Sequence, residues 1–288
     1  MEKCGCCSTE IGGEPGKVKI GGITYCGDCA KVCRKCGRVM ISGVHQSEKM
    51  RNLDYCPECY ASLLHPVCAG CGKLLTAKRV FTHLRSFYCP ECITAPLCPS
   101  CGRPHSADTD KRCPKCGDIH GITPKKAMAV YQRVVSNILY HFNLLLPGDV
   151  PIHLVRFSEL QNYAGGMNLR TAGLFVPVKN ANILGNIYIV PYYPEEYFVT
   201  VLTHELTHAW QYLHWKRKDY ENIELREGMA IYIEYEYAKI CHYYAEVSAI
   251  DTMLEVNRGL PHIAGFRRLL ELAKTRKPEG LLTFFQSI

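Results

Sequence analysis

No stretch of this chain approaches the roughly 18 consecutive apolar residues of a membrane-crossing helix, so no membrane-embedded segment is expected. The amino terminus, Met1-Glu2-Lys3-Cys4-Gly5-Cys6-Cys7, has no apolar run of the kind that opens a secretory signal, and a cytoplasmic protein is expected. Hydrophobic residues are not scarce: at 47%, with 21% charged, the composition excludes a disordered chain. Cysteine is nearly missing from one part only. Of 18 cysteines, 17 lie before residue 117, and Cys241 alone lies after it. The 288 residues therefore divide into two chemically different segments, long enough together for two or three domains.

The cysteines fall in CxxC pairs: Cys4/Cys7, Cys26/Cys29, Cys33/Cys36, Cys56/Cys59, Cys68/Cys71, Cys89/Cys92, Cys98/Cys101 and Cys113/Cys116. Two residues between thiolates let one tight turn present both sulfurs to one ion, with backbone N–H groups offsetting the charge. Taken two by two along the chain, the pairs are separated by 18, 19, 17 and 11 residues, the spacing of four tetrahedral zinc sites. A secreted disulfide framework would show irregular spacings and a signal segment, and shows neither here. Cys6 is left over, either exchanging with Cys7 or a spectator. Each tetrathiolate zinc site carries −2, so four such sites and one further zinc reduce the formal charge of +7 to about +1. No recognition helix follows the knuckles, and a nucleic-acid partner is not expected.

Only Ala30, Lys31 and Val32 separate the first two sites, an arrangement that resembles a LIM domain. Residues 68–116 resemble a degenerate second copy. The resemblance implies a protein-binding platform without chemistry of its own. Zinc would supply the folding energy of such small modules.

Beyond Gly121 the pattern changes. Thr123-Pro124 caps a predicted amphipathic helix with Ala129, Val130, Val134, Ile138 and Phe142 at helical spacing. Residues 150–157 read as a strand, 158–161 as a short capped helix, and Gly165-Gly166 as a turn. Residues 174–178 and 186–190 read as further strands, the latter as an edge for an extended peptide. Pro194-Glu195-Glu196 then opens a helix carrying His204-Glu205-Leu206-Thr207-His208. Histidines four residues apart share a helix face and can hold one zinc, with Glu205 placed as general base on a water. The third ligand is open among Glu227, His214 and Glu224. If the helix continues past Trp210, His214 turns away from the pair, and Gln211 stands where metzincins place a helix-breaking glycine. Glu227, followed by Gly228, has the spacing that resembles the gluzincin peptidases, and it is the expected third ligand ahead of His214 and Glu224. Tyr232, Tyr235, Tyr237 and His262 are eligible to steady an oxyanion.

Taken together, the cysteine modules, Val150–Val155, Gly173-Leu174, His204–Trp210 and Glu227-Gly228 resemble the plant LIM-domain peptidases that limit organ growth, and their bacterial relatives. The likeness spans residues 4 to about 245. It implies an α+β protein with LIM-like modules at 1–62 and 65–119 and a zincin-type domain at 122–288. It further implies a cytosolic zinc endopeptidase acting on protein or peptide substrates, with one catalytic and four structural zinc ions and a protein partner at the LIM-like part. Because the match begins at the first knuckle, ubiquitin-dependent activation of the plant members is not carried over. The competing expectation is a LIM-type adaptor with an inactive peptidase-like domain.

Overall fold

The computed structural model describes the chain apart from residues 1, 12–16, 21, 34–35, 43–47, 51–52, 65–66, 76–80, 106–112, 114–115, 117–120, 147–149, 166–170, 181–182, 257–259 and 276–288. Gly166 of the expected turn and the last residues of the expected third domain lie outside the described residues. By contact the chain forms two compact units, Met1–Val67 and Cys68–Ile288. The second cysteine-rich segment thus belongs to the same unit as the carboxyl-terminal part.

The first unit has little to bury and is built of short antiparallel pairs. These are β1 (Glu2–Lys3) with β2 (Glu10–Ile11), β3 (Val18–Ile20) with β4 (Ile23–Tyr25), β5 (Ala30–Val32) with β6 (Val39–Ile41), and β7 (Glu48–Met50) with β8 (Leu53–Tyr55), followed by α1 (Pro57–Leu64). One small cluster of Cys33, Met40, Tyr55 and Cys56 is its apolar centre.

One knuckle geometry recurs in both units. The first cysteine of the knuckle donates its N–H to the carbonyl five residues on: Cys4 to Thr9, Cys33 to Arg38, Cys68 to Lys73, Cys98 to Arg103. The residue after the second cysteine returns its N–H to the first: Ser8 to Cys4, Gly37 to Cys33, Gly72 to Cys68, Gly102 to Cys98. That residue must turn left-handed, with φ of 60°, 72°, 72° and 73°, and three of the four are glycine.

The second unit begins with the hairpin β9 (Phe81–His83) and β10 (Ser86–Tyr88) and the short α2 (Pro90–Ile93). The helix α3 (Pro124–Phe142) starts where Thr123 accepts the Lys126 N–H and stops at left-handed Asn143. Its buried stripe is Ala127, Val130, Tyr131, Val134, Ile138 and Phe142. Ala129, expected on that stripe, is exposed, because the stripe follows i, i+3, i+4 from Ala127.

A three-stranded sheet of order β11–β13–β12 follows, from β11 (Ile152–Leu154), β12 (Gly173–Asn180) and β13 (Ile183–Ile189). The expected strand at 150–157 ends early, since Phe157 opens α4 (Phe157–Tyr163). The Phe157 and Ser158 N–H groups bond to the carbonyls of Ser100 and Pro99 in the fourth knuckle. β13 pairs parallel with β11 and antiparallel with β12, so it is the central strand. The expectation of an open edge at 186–190 is therefore corrected: both sides of that strand are occupied, and among the described residues β12 is an edge. Pro177, which has no N–H to give, sits on β12 as edge strands allow.

Against this sheet lies α5 (Glu195–His214), buried along most of its length. Glu195 and Glu196 favour its positive end, and Glu195 is held by Lys126 at 2.7 Å and Arg133 at 2.8 Å from α3. After α6 (Arg217–Tyr220), Asn222 caps α7 (Ile223–Ile240), and α8 (Tyr244–Val256) and α9 (Pro261–Thr275) complete the unit. No described helix is long and apolar enough to cross a membrane.

Candidate metal centres

Four groups of four cysteines bring their sulfurs together: Cys4, Cys7, Cys26 and Cys29; Cys33, Cys36, Cys56 and Cys59; Cys68, Cys71, Cys89 and Cys92; Cys98, Cys101, Cys113 and Cys116. A tetrahedral ion with metal–sulfur bonds of about 2.3 Å requires sulfurs about 3.8 Å apart. The Sγ–Sγ separations are 3.8 Å for Cys7–Cys26, 3.9 Å for Cys36–Cys56, 3.9 Å for Cys71–Cys89 and 3.6 Å for Cys101–Cys113. Each group could hold a metal ion.

Their electrostatics ask for a cation. Backbone N–H groups of Cys7 and Cys26 hold the Cys4 thiol down to about 6, while the Cys7 thiolate beside Cys29 pushes that thiol up. The Cys116 thiol holds Cys101 down to about 5 and is itself pushed up. Four thiolates cannot all ionise at such distances without a positive ion between them. Cys6 lies outside the four groups, its Sγ facing the Ser42 carbonyl at 3.6 Å.

The fourth group is fully buried and enters the main core of the second unit. The Phe157 ring lies against Gly102, where an added Cβ would meet it at 2.4 Å. Tyr193 donates its hydroxyl to the Cys101 carbonyl.

A fifth group joins His204, His208 and Glu227. The two Nε2 atoms are 3.0 Å apart, and each is 3.4 Å from Glu227 Oε2. Metal–nitrogen and metal–oxygen bonds of about 2.0–2.1 Å give tetrahedral edges of about 3.3 Å, so this set also fits one ion with a fourth position left. Burial pushes the Glu227 carboxyl up, and charge on His208 and His204 outweighs it and holds the carboxyl far below the usual carboxylate range. His214 is not in the group. α5 runs on to Trp215, and the His214 ring lies on Trp210, its Nε2 3.3 Å from the Leu145 carbonyl. Glu224 is exposed one turn before Glu227 and is not in the group either.

Each ligand has a partner behind it. Glu234 Oε2 meets His204 Nδ1 at 3.2 Å, and Gln211 Oε1 meets His208 Nδ1 at 2.9 Å. Gln211 is fixed in turn through its Nε2 to the Arg226 carbonyl. Arg226 Nη2 donates to Glu227 Oε1 at 3.0 Å, leaving Oε2 for the histidines. These partners orient the ligands and set their tautomers. Sequence reasoning passed over all three, although Gln211 and Glu234 stand at helical spacing from His208 and Glu227. Gly228, just after Glu227, lets α7 touch α9: an added Cβ would meet Gly265 backbone at 2.6 Å.

Glu205, 4% exposed, accepts the Phe175 N–H of β12 at Oε2. A cavity of about 480 Å³ borders Glu205, His204 and Glu227, with apolar walls including Val201, Ile223, Ile231 and Met253. Of the four residues eligible to steady an oxyanion, His262 lines this cavity. Tyr235 donates to Asp251 and Tyr237 accepts from Asn137, so both hydroxyls are used in packing, and Tyr232 does not line the cavity. Burial keeps the His262 imidazole below its ordinary value despite the pull of Glu227. No family model, curated protein or solved structure matches the chain.

Proposed function

We propose that the chain is a zinc-dependent endopeptidase in which His204, His208 and Glu227 hold the catalytic ion and Glu205 is the general base. The observation that carries the reading is a set of three tetrahedrally spaced donors, two of which border one cavity together with a buried carboxylate that is bonded to an edge strand. The resemblance to LIM-domain peptidases, with a zincin-type carboxyl domain, supports the same reading. When bound, zinc lowers the pKa of a water and polarises a carbonyl oxygen.

The chain's own residues supply the remaining steps. The outer edge of β12 takes an extended substrate segment through backbone hydrogen bonds, which are indifferent to side-chain sequence. Glu205 takes the proton of the attacking water on its carboxylate and delivers it to the leaving amine nitrogen, so the proton balance closes on one residue. His262 donates a hydrogen bond to the substrate oxygen as charge develops on it. The cavity's apolar walls accept an apolar side chain next to the cleaved bond. The four cysteine groups hold structural zinc, and the first unit serves a protein partner, in a cytoplasmic setting.

Metal content tests this reading. The peptidase predicts five zinc ions per chain, one of them removed first by a mild chelator. Four ions, all tightly held, would favour the adaptor with an inactive peptidase-like domain.

A further inference from the structure

The hairpin between β9 and β10 is turned by Leu84 and Arg85, with His83 opposite Ser86. Both turn residues are left-handed, at φ 47° and 57°. A two-residue turn of this hand ordinarily takes Asn-Gly, so Leu-Arg is a strained choice that surrounding structure must hold. Leu84, 4% exposed, is held in the main core of the second unit. Arg85 reaches in among α5, α7 and α8. Its Nη1 donates to Thr200 Oγ1 at 3.0 Å and to Glu246 Oε2 at 2.6 Å, and its guanidinium lies over the Tyr197 ring. Its Nη2 pairs with Oε1 of Glu234.

Glu234 is 3% exposed, and its other oxygen is the one on His204 Nδ1. A line of contact therefore runs from the third cysteine group's hairpin, through Arg85 and Glu234, to a ligand of the His/Glu centre. An ion pair serving stability alone is poorly placed here, because buried pairs rarely improve on apolar packing. A carboxylate with the Arg85 cation against one oxygen and the imidazole on the other, by contrast, has one orientation to offer that imidazole.

We propose that Arg85 is a positioning residue for the metal centre: by fixing Glu234 it presents His204 to the ion, so the second cysteine-rich segment sets the centre's metal affinity. The inference rests on reading His204, His208 and Glu227 as a metal site.

The test measures, on the full chain loaded with zinc, the affinity for the most weakly held ion by chelator competition, with thermal unfolding in parallel. Loss of a ligand's outer partner typically weakens binding 10–100-fold. Arg85→Met is expected to weaken the exchangeable ion about 10-fold or more while the four cysteine-bound ions stay. Glu234→Gln is expected to do the same, and the double variant to be no weaker than the weaker single. Arg133→Met, which removes an ion pair to Glu195 on the same helix without reaching His204, is expected to leave the affinity unchanged. Should Arg85→Met not fold, Arg85→Lys decides: a single ammonium cannot span Glu234, Glu246 and Thr200, and the affinity should still fall. Five ions in the unaltered chain with unchanged affinity in the Arg85 variants would overturn the proposal. So would strictly additive losses in the double variant. Only four ions in the unaltered chain would overturn the metal-site reading beneath it, and the proposal with it.

Discussion

Glu205 Oε2 accepts the backbone N–H of Phe175 at 2.8 Å, tying the carboxylate of α5 to the edge strand β12. The strand can approach this closely because position 173 is glycine. An added Cβ there would meet Val201 Cγ1 at 2.5 Å and Glu205 Cγ at 2.9 Å. Gly173→Ala should push the strand off the carboxylate, costing about 1–3 kcal/mol as overpacked substitutions do. Turnover should fall at least 10-fold with the zinc count unchanged, read from a melt, a peptide assay and a metal determination. An alanine variant as active as the original would mean the contact does not hold Glu205 for catalysis.

The ligand set is tested by loss of metal. Glu227→Gln removes the anionic donor and should lose the exchangeable ion and the activity together. His214→Ala should lose neither, since α5 continues to Trp215 and carries that ring onto Trp210. The reverse pattern would mean that the helix breaks after Trp210 and His214 is the ligand.

The division of the chain after Val67 makes the cysteine groups unequal. Cys33→Ser should unfold the first unit and leave residues 68–288 of the same chain folded. Cys101→Ser should collapse the second unit, whose core includes the fourth group. A fragment starting at residue 122 should not fold, because it lacks Leu84 and the Ser100 and Pro99 carbonyls that hold the start of α4. Circular dichroism and limited proteolysis of these variants read the outcome. A well-folded 122–288 fragment would contradict it.

Acid stability follows from Glu195. Hydrogen bonds from Lys126 and Arg133 hold its carboxyl below the usual value of about 4.3. A carboxyl depressed on folding stabilises the protein above its unfolded value, and that stability is lost as pH falls through the folded value. Glu195→Gln should therefore be less stable than the original at neutral pH, by at most about 1 kcal/mol because the cations are half exposed. The difference should begin to shrink as pH falls below about 4 and vanish only below the folded value. A difference that stays the same on acidification through that range would place the effect elsewhere.

What the sequence disclosed was what lies on one element or repeats along the chain. The CxxC pairs and the His204–His208 spacing depend on turns and a helix, whose geometry is local. Glu227 was legible for a similar reason, since a second helix returning after a short link brings it back to the first. The phase of α3 was off by two residues at Ala129 because alanine fits either face of a helix. Strand order in the sheet is tertiary, so the pattern at 186–190 does not distinguish an edge from the central strand it forms. Arg85 gave no signal: nothing in a cysteine-rich hairpin announces that its turn residue pairs with Glu234. Gly228 was legible only as the residue after Glu227, and its close approach to Gly265 is tertiary.

The most direct measurement is the appearance of new peptide termini, read by mass spectrometry, when the zinc-loaded protein is incubated with a mixture of unfolded proteins. Glu205→Gln is the comparison, since it keeps the side chain's shape and hydrogen bond to water but removes the base. The unaltered protein should generate new termini. Glu205→Gln should keep all five zinc ions and lose about 10²–10⁴-fold in rate, the usual worth of a positioned general base. Equal cleavage by both proteins, or none by the zinc-loaded original, would contradict the peptidase account.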